Sequence, residues 1–261
     1  MGIWDAVWLG IIEGLTEFLP ISSTFHLIAA ARLFGHGDGE FVKLFEVFIQ
    51  SGAVLAVLLL YWERLRKDFA LIGKILTAFV PTALLGILAY RTIKRTFFNS
   101  YLGMVAIFIL VGLLFFLFEA LVKKGILSPS KALVNLSYRD AFFIGLIQCL
   151  AFFPGVSRAG AVILGMMVLG YRRRDSAAFS FLLAVPTIIS AGAYDLYKTR
   201  ELIFSSGANA FNLLIGSLVA FLIAVLAVKW LVRYLQNHTL RVFGYYRLAA
   251  GLIFLLAVLF L

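Results

Sequence analysis

The sequence predicts an all-α polytopic membrane protein, and three observations support this fold class. The 261 residues are 63% hydrophobic and 14% charged, whereas a soluble domain is nearer half apolar and a quarter charged. The mean hydropathy is +1.02. The apolar runs extend for about twenty residues without alternating, which favours spanning helices over barrel strands. We therefore expect one integral membrane domain over residues 1–261.

Six apolar stretches are long enough to cross a bilayer as helices. Two further segments, at about 2–34 and 141–170, are interrupted by Pro20 and Pro154 and are too polar or too short for ordinary spans. A basic turn is expected at 91–95. The predicted transmembrane helices lie near residues 45–62, 69–90, 101–122, 176–197, 211–234 and 242–261.

The two halves of the chain resemble each other. Overlaying Pro20 on Pro154 places Ser23 on Ser157. A unit of three spans and one broken segment has odd parity, so its two copies would be inverted in the membrane. A chance match of two proline-broken apolar segments is the alternative. The predicted division is a first repeat at about 1–122, a polar connector at 123–137 and a second repeat at about 138–261.

Each broken segment is expected to be a re-entrant helix pair, because irregular backbone persists at membrane depth only where protein or a water-filled cavity covers it. Two such pairs entering from opposite faces would bring their breaks together near the midplane. A charge at that depth costs about 2.5–3.5 kcal/mol on insertion scales, so it should meet an opposite charge or a charged ligand. The polar residues expected near the breaks are Glu13, Glu17, Ser23, His26, Ser157 and Arg158.

The net charge of +10 comes largely from short basic clusters between apolar runs, which is typical of topology signals rather than of nucleic-acid binding. The side of the membrane whose loops contain more Lys and Arg is predicted to be cytoplasmic, which places both termini outside. Cys149 is the only cysteine and excludes an internal disulfide. We expect no cleavable signal peptide, because acidic residues interrupt the N-terminal apolar stretch. The basic clusters on the richer side are 64–67, 123–139, 172–174 and 229–241.

The first broken segment carries a candidate site. Glu13 and Glu17 are four residues apart, so their carboxylates share one helix face and suit Mg²⁺ or Ca²⁺. Pro20 ends that helix. His26 lies three residues after Ser23, which predicts a nucleophile with a nearby base. The hydroxyl residues after the proline, which also suit a helix start, are Ser22, Ser23 and Thr24.

In the second broken segment, Arg158 follows Pro154-Gly155-Val156-Ser157 at a predicted helix start. Free helix N–H groups beside an arginine form a phosphate cradle. Together the two segments suit phosphoryl transfer.

Each residue also has a structural interpretation. Either serine could instead cap a helix, and His26 could be a hydrogen-bonded core histidine. The Arg158 side chain could extend to the membrane–water interface. Two intramembrane glutamates are harder to explain by structure alone. Helix packing explains three weaker candidates equally well, and these are Gln148, Asp195 and Arg247.

Over nearly its whole length the chain resembles the undecaprenyl-diphosphate phosphatase family, the bacitracin-resistance proteins of bacterial membranes. The E/Q-x-x-x-E motif of that family stands here as Glu13 to Glu17, followed by FLPISST and His26. Its second motif, P-G-x-S-R-S-G-x-T, stands as PGVSRAGAV at 154–162. Further matching stretches are FEVFIQSG at 45–52, YRDAFFIGLIQCLAFFPG at 138–155 and FSFLLAVP at 179–186.

This resemblance implies hydrolysis of undecaprenyl or another polyprenyl diphosphate to the monophosphate at the outer face of the bacterial inner membrane, by an inverted-repeat homodimer. Ser23 would be the nucleophile or align it, and His26 would be the acid or base. Arg158 would stabilise the transferred phosphoryl group, while Glu13 and Glu17 would bind the cation or assist proton transfer. The expected phosphate-binding residues are Arg158, Ser157, Gly155, Ser22, Thr24 and Gln148.

Three residues depart from the family pattern. Phe25 replaces a glycine beside the histidine, and Ala159 and Val162 replace a serine and a threonine. The lost hydroxyl donors predict slower turnover or an altered substrate preference.

Two other functions compete with the hydrolase. A transporter of lipid phosphates or anions also uses inverted repeats with broken helices, but it does not need Ser23 near His26. A non-catalytic scaffold has no reason to keep these costly charges.

Overall fold

A computed structural model describes the backbone of residues 1–37, 39–97, 101–204 and 207–260, with side chains except at 89–97, 201–204 and 257–260. The described chain is helical apart from turns and one isolated β-bridge between Lys131 and Tyr171. Short 3₁₀ turns occur at Leu133–Asn135 and Cys149–Phe152. The α-helices are α1 Ile3–Thr16, α2 Ser23–Leu33, α3 Glu40–Leu65, α4 Phe69–Phe97, α5 Tyr101–Lys123, α6 Tyr138–Gln148, α7 Arg158–Val168, α8 Arg173–Phe204, α9 Gly207–Asn237 and α10 Arg241–Phe260.

Within the described residues, five helices are long and apolar enough to cross a membrane. This confirms a polytopic all-helical membrane protein. α7 is apolar but shorter than a span. The five spans are Glu40–Leu65, Phe69–Leu88, Tyr101–Lys123, Arg173–Arg200 and Gly207–Asn237.

Both predicted breaks are present. α1 ends at Thr16 and α2 begins at Ser23, whereas α6 ends at Gln148 and α7 begins at Arg158. The predicted turn at 91–95 is wrong, because α4 continues to Phe97. Residues 91–97 contain neither Gly nor Pro, and Arg and Lys are good helix formers that suit a helix C-terminus.

The chain forms two compact units. The first comprises Met1–Leu19, Ser23–Asp68 and Phe181–Trp230. Here α1 packs closely on α9, since a Cβ on Gly10 would lie 2.6 Å from the Gly216 carbonyl oxygen and one on Gly14 would lie 2.6 Å from the Ala220 carbonyl oxygen. Such contacts between small residues allow helix backbones to approach closely in a membrane.

The second unit comprises Pro20–Ser22, Phe69–Ser180 and Leu231–Leu261. In it the carboxylate of Glu119 on α5 pairs with Arg173 at the start of α8 and accepts the Leu240 N–H at 2.9 Å. Tyr171 donates its hydroxyl to Asp140 Oδ2 at 2.6 Å. Desolvation and the Asp140 carboxylate raise the pKa of that phenol.

Candidate functional site

The two glutamates of the first motif lie on one helix face. The Glu17 N–H donates to the Glu13 carbonyl at 2.9 Å, and Glu17 has helical φ and ψ of −61° and −41°. The helical path of α1 therefore continues through Glu17, which confirms the predicted spacing of one turn. Glu13 is 0% exposed and Glu17 is 7% exposed.

These carboxylates fit a divalent cation by the chemistry of their donor atoms. Mg²⁺ and Ca²⁺ prefer oxygen ligands, and Mg²⁺ commonly combines one or two protein carboxylates with water and phosphate oxygens. Among the described residues, no group of three or more His, Cys, Asp or Glu side chains is placed to hold a metal. Glu13 and Glu17 would therefore need water or phosphate oxygens to complete a coordination shell. Cation binding stays a prediction.

The hydroxyl group of Ser23 donates a hydrogen bond to Oε2 of Glu17. Ser23 is the first residue of α2, and both residues are buried. The bond joins the two sides of the Pro20 break. A buried carboxylate that accepts a hydrogen bond from a serine hydroxyl is the arrangement expected for activating that hydroxyl as a nucleophile.

The neighbours of Ser23 are held differently. Ser22 is buried and has φ of +68°, the only positive φ among the described non-glycine residues. Such conformations persist only where the surrounding structure enforces them. His26 follows on α2 and is partly exposed, with its ring edge-to-face against Phe25 at a centroid distance of 5.9 Å. Thr24, which directly follows Ser23, is also partly exposed.

The second motif forms the N-terminal turn of α7. Ser157 caps the helix, because its Oγ accepts the Gly160 N–H at 3.1 Å. Arg158 is the first helical residue, is partly exposed, and donates from Nη1 to the Ser180 carbonyl oxygen at 2.8 Å. Gly155 is buried with φ of +93°. The cap explains Ser157 structurally, and phosphate binding by this turn stays a prediction.

Comparison with known proteins identifies the family. The family model described as Bacitracin resistance protein BacA matches residues 6–253. The chain belongs to this family.

Three relatives named undecaprenyl-diphosphatase align along almost the whole chain. The protein from Aquifex aeolicus (strain VF5) is 42% identical over 258 residues, which cover 98% of this chain and 99% of the relative. The protein from Campylobacter hominis is 44% identical, with 99% and 100% covered. The protein from Sulfurihydrogenibium sp. (strain YO3AOP1) is 45% identical, with 97% and 98% covered.

Two buried polar residues of this BacA chain have hydrogen-bond partners that could not be predicted from the sequence. Gln148 is 1% exposed, and its Nε2 donates to the Thr82 hydroxyl at 2.9 Å. Thr82 donates in turn to the Gly145 carbonyl at 3.1 Å. Arg247 is 0% exposed and binds backbone carbonyls from widely separated segments. Its isolated position in an apolar stretch was the only sequence signal.

The three residues expected from the sequence to depart from the family pattern occupy interior positions. Ala159 and Val162 on α7 are both 0% exposed, and Phe25 is 5% exposed. A hydroxyl at either α7 position would need a partner to offset the cost of burial. At position 25 the phenyl ring supplies a contact with the imidazole that a glycine would lack.

Proposed function

We propose that this BacA-family protein is an undecaprenyl-diphosphatase, which hydrolyses undecaprenyl diphosphate to the monophosphate and inorganic phosphate. The observation that carries the proposal is the buried hydrogen bond from Ser23 to Glu17, in a chain whose relatives bear that name. The reaction recycles the lipid carrier of peptidoglycan and other cell-wall polymers and confers resistance to bacitracin.

In the proposed reaction Ser23 Oγ attacks the terminal phosphorus and its proton passes to Glu17, which already accepts the hydroxyl hydrogen bond. The bond from that phosphorus to the bridging oxygen breaks, and the lipid monophosphate leaves with the electron pair. A water molecule then attacks the phosphoserine and gives a proton to His26. Glu17 returns its proton to Ser23, His26 releases its proton to solvent, and inorganic phosphate leaves the site.

The charge on the transferred group needs stabilisation, because phosphoryl transfer depends mainly on positioning and electrostatics. Arg158 and the N-terminal turn of α7, with Gly155 and Ser157, would bind the phosphate oxygens. Glu13 and, while it is ionised, Glu17 would hold the divalent cation, which supplies positive charge to the diphosphate when bound.

We further propose six transmembrane helices, α3, α4, α5, α8, α9 and α10, and two re-entrant pairs, α1–α2 and α6–α7, in an inverted repeat. The support is the two broken segments, the apolar length of α3, α4, α5, α8 and α9, and the apolar sequence of α10. The protein would lie in the bacterial inner membrane as a homodimer, with the active site open to the outer side.

The first experiment measures phosphate release from undecaprenyl diphosphate by the purified protein, with and without EDTA. We expect release that stops with EDTA and returns with Mg²⁺ or Ca²⁺. Release that ignores EDTA keeps the hydrolase but removes the cation from the proposal. No release by folded protein would contradict the hydrolase and direct the next test to lipid-phosphate transport.

Substitutions then test the assigned roles. Arg158→Ala and Ser23→Ala should each lose at least about 100-fold in kcat, because removing a donor to a developing charge or the nucleophile costs that much or more. Gln148→Ala should lose less. Arg66→Ala is the matched control, since Arg66 is an exposed arginine paired with Glu63. Full activity in Arg158→Ala would remove that residue from the mechanism.

A further inference from the structure

Arg247 on α10 is fully buried, and its guanidinium binds three backbone carbonyls. Nε donates to the Phe108 oxygen at 2.9 Å, Nη1 donates to the Pro20 oxygen at 3.2 Å, and Nη2 donates to the Gly155 oxygen. The guanidinium carbon also lies 4.2 Å from the centroid of the Phe108 ring. A buried cation is costly, so this number of directed contacts calls for an explanation.

The Pro20 and Gly155 carbonyls come from the two proline-containing breaks. Backbone at a break has lost helical hydrogen bonds, and an unpaired carbonyl in an apolar interior is unfavourable. A guanidinium is the side chain that can satisfy several such groups at once, since it presents five donors in a fixed plane. Arg247 therefore joins one break to the other through a rigid group.

Helix packing brings Arg247 to this position. A Cβ on Gly112 of α5 would lie 2.9 Å from the Arg247 Cβ, and one on Gly244 would lie 3.0 Å from the Gly112 carbonyl oxygen. Glycines at both positions allow α5 and α10 to approach closely. In the second unit, the position of Arg247 is therefore fixed by its hydrogen bonds, its aromatic contact and the close crossing of α5 and α10.

We infer that Arg247 is a positioning residue for phosphoryl transfer, an inference that rests on the proposed function. Pro20 lies three residues before Ser23, and Gly155 lies three residues before Arg158. By fixing both carbonyls, Arg247 sets the backbone from which the nucleophile and the phosphate-binding arginine project. Because Arg247 is 0% exposed, we assign it an effect through these carbonyls and not through contact with the substrate. A misplacement of about 1 Å in such a reaction costs about 100-fold in rate.

The test compares Arg247→Lys and Arg247→Met with wild type in kcat, KM and thermal unfolding midpoint, assayed well below the midpoint of each variant. Lysine keeps the charge but lacks the planar fork, so kcat should fall about 10-fold to 100-fold with KM nearly unchanged. Methionine should lower kcat further. A purely structural arginine would lower the unfolding midpoint and leave kcat at the wild-type value.

The outcomes separate this inference from the proposed function. Wild-type phosphate release together with full kcat in the folded Lys variant overturns the positioning role alone. Absence of release by wild type overturns the proposed function and this inference with it. If the Met variant does not fold, the Lys variant decides. Arg66→Lys makes the same substitution at an exposed arginine paired with Glu63, so its kcat should equal that of wild type.

Discussion

Gly155 combines two requirements that only glycine meets. Its φ is +93°, and a Cβ there would lie 2.5 Å from the Met104 carbonyl oxygen. Its own carbonyl accepts from Arg247. The residue therefore fixes the backbone of the second break through conformation, close contact and a hydrogen bond together.

We predict that Gly155→Ala destabilises the protein by more than backbone strain alone. Left-handed conformation costs an alanine about 1–2 kcal/mol, and forcing a methyl group into occupied space adds about 1–3 kcal/mol. Gly125→Ala is the matched control, because Gly125 has φ of +73° and nothing within 4 Å of the added Cβ. The measurement is the thermal unfolding midpoint in detergent. Equal shifts in the two variants would show that the contact with Met104 does not matter.

At the residue scale, the sequence predicted which face of the helix the two glutamates share, but it did not predict the hydrogen bonds of the candidate site. The spacing of Glu13 and Glu17 defined their common helix face, since that depends only on helical periodicity. The bond from Ser23 to Glu17 crosses the break, where no periodicity applies. Arg247 binds carbonyls of residues distant in the chain, and backbone atoms carry no residue-specific signal.

At the element scale, helix contacts in the first unit depend on small residues. A Cβ on Gly52 of α3 would overlap the Ser217 backbone on α9, and the added Cβ of Gly216 would lie 2.5 Å from the Phe45 ring. Without a strong hydrophobic drive between helices in lipid, such close packing supplies much of the association energy. The α3–α9 contact is therefore sensitive to a single methyl group.

We predict that Gly52→Ala lowers stability by about 1–3 kcal/mol, because the helices must separate to accommodate the methyl group. Gly37→Ala is the control, since an added Cβ at Gly37 meets nothing within 4 Å. That change should be neutral or slightly stabilising through reduced unfolded-state entropy. Thermal unfolding of both variants in the same detergent provides the comparison, and an unchanged midpoint for Gly52→Ala would contradict the prediction.

The elements themselves could be predicted from apolar length and proline. The broken segments at Pro20 and Pro154 were found because proline removes a donor and clashes within a helix. The same rule does not end every helix, since Pro81 and Pro186 lie inside α4 and α8. A proline can be tolerated inside an apolar helix where neighbouring groups satisfy the freed backbone. The end of α4 was misplaced because basic residues suggest a turn but are equally compatible with a helix terminus.

For the whole molecule, the distribution of basic residues predicts the orientation of the protein in the membrane. The clusters at 64–67, 123–139, 172–174 and 229–241 fall on one side of the proposed topology. Excess Lys and Arg in short loops is retained on the cytoplasmic side. If that side is cytoplasmic, as we propose, both termini and the α2–α3 loop would lie outside, and the α1–α2 pair would enter from the outer face.

Cysteine labelling tests this orientation in a Cys149→Ser background, which removes the single native cysteine. Reporters are placed at exposed positions, Gly37→Cys in the α2–α3 loop and Lys124→Cys after α5. In intact spheroplasts a membrane-impermeant maleimide should label Gly37→Cys, and it should reach Lys124→Cys only after lysis. The Cys149→Ser protein should stay unlabelled and should release phosphate. The reverse labelling pattern would place both termini in the cytoplasm and would turn the α1–α2 pair, with Ser23 and Glu17, towards the inner face.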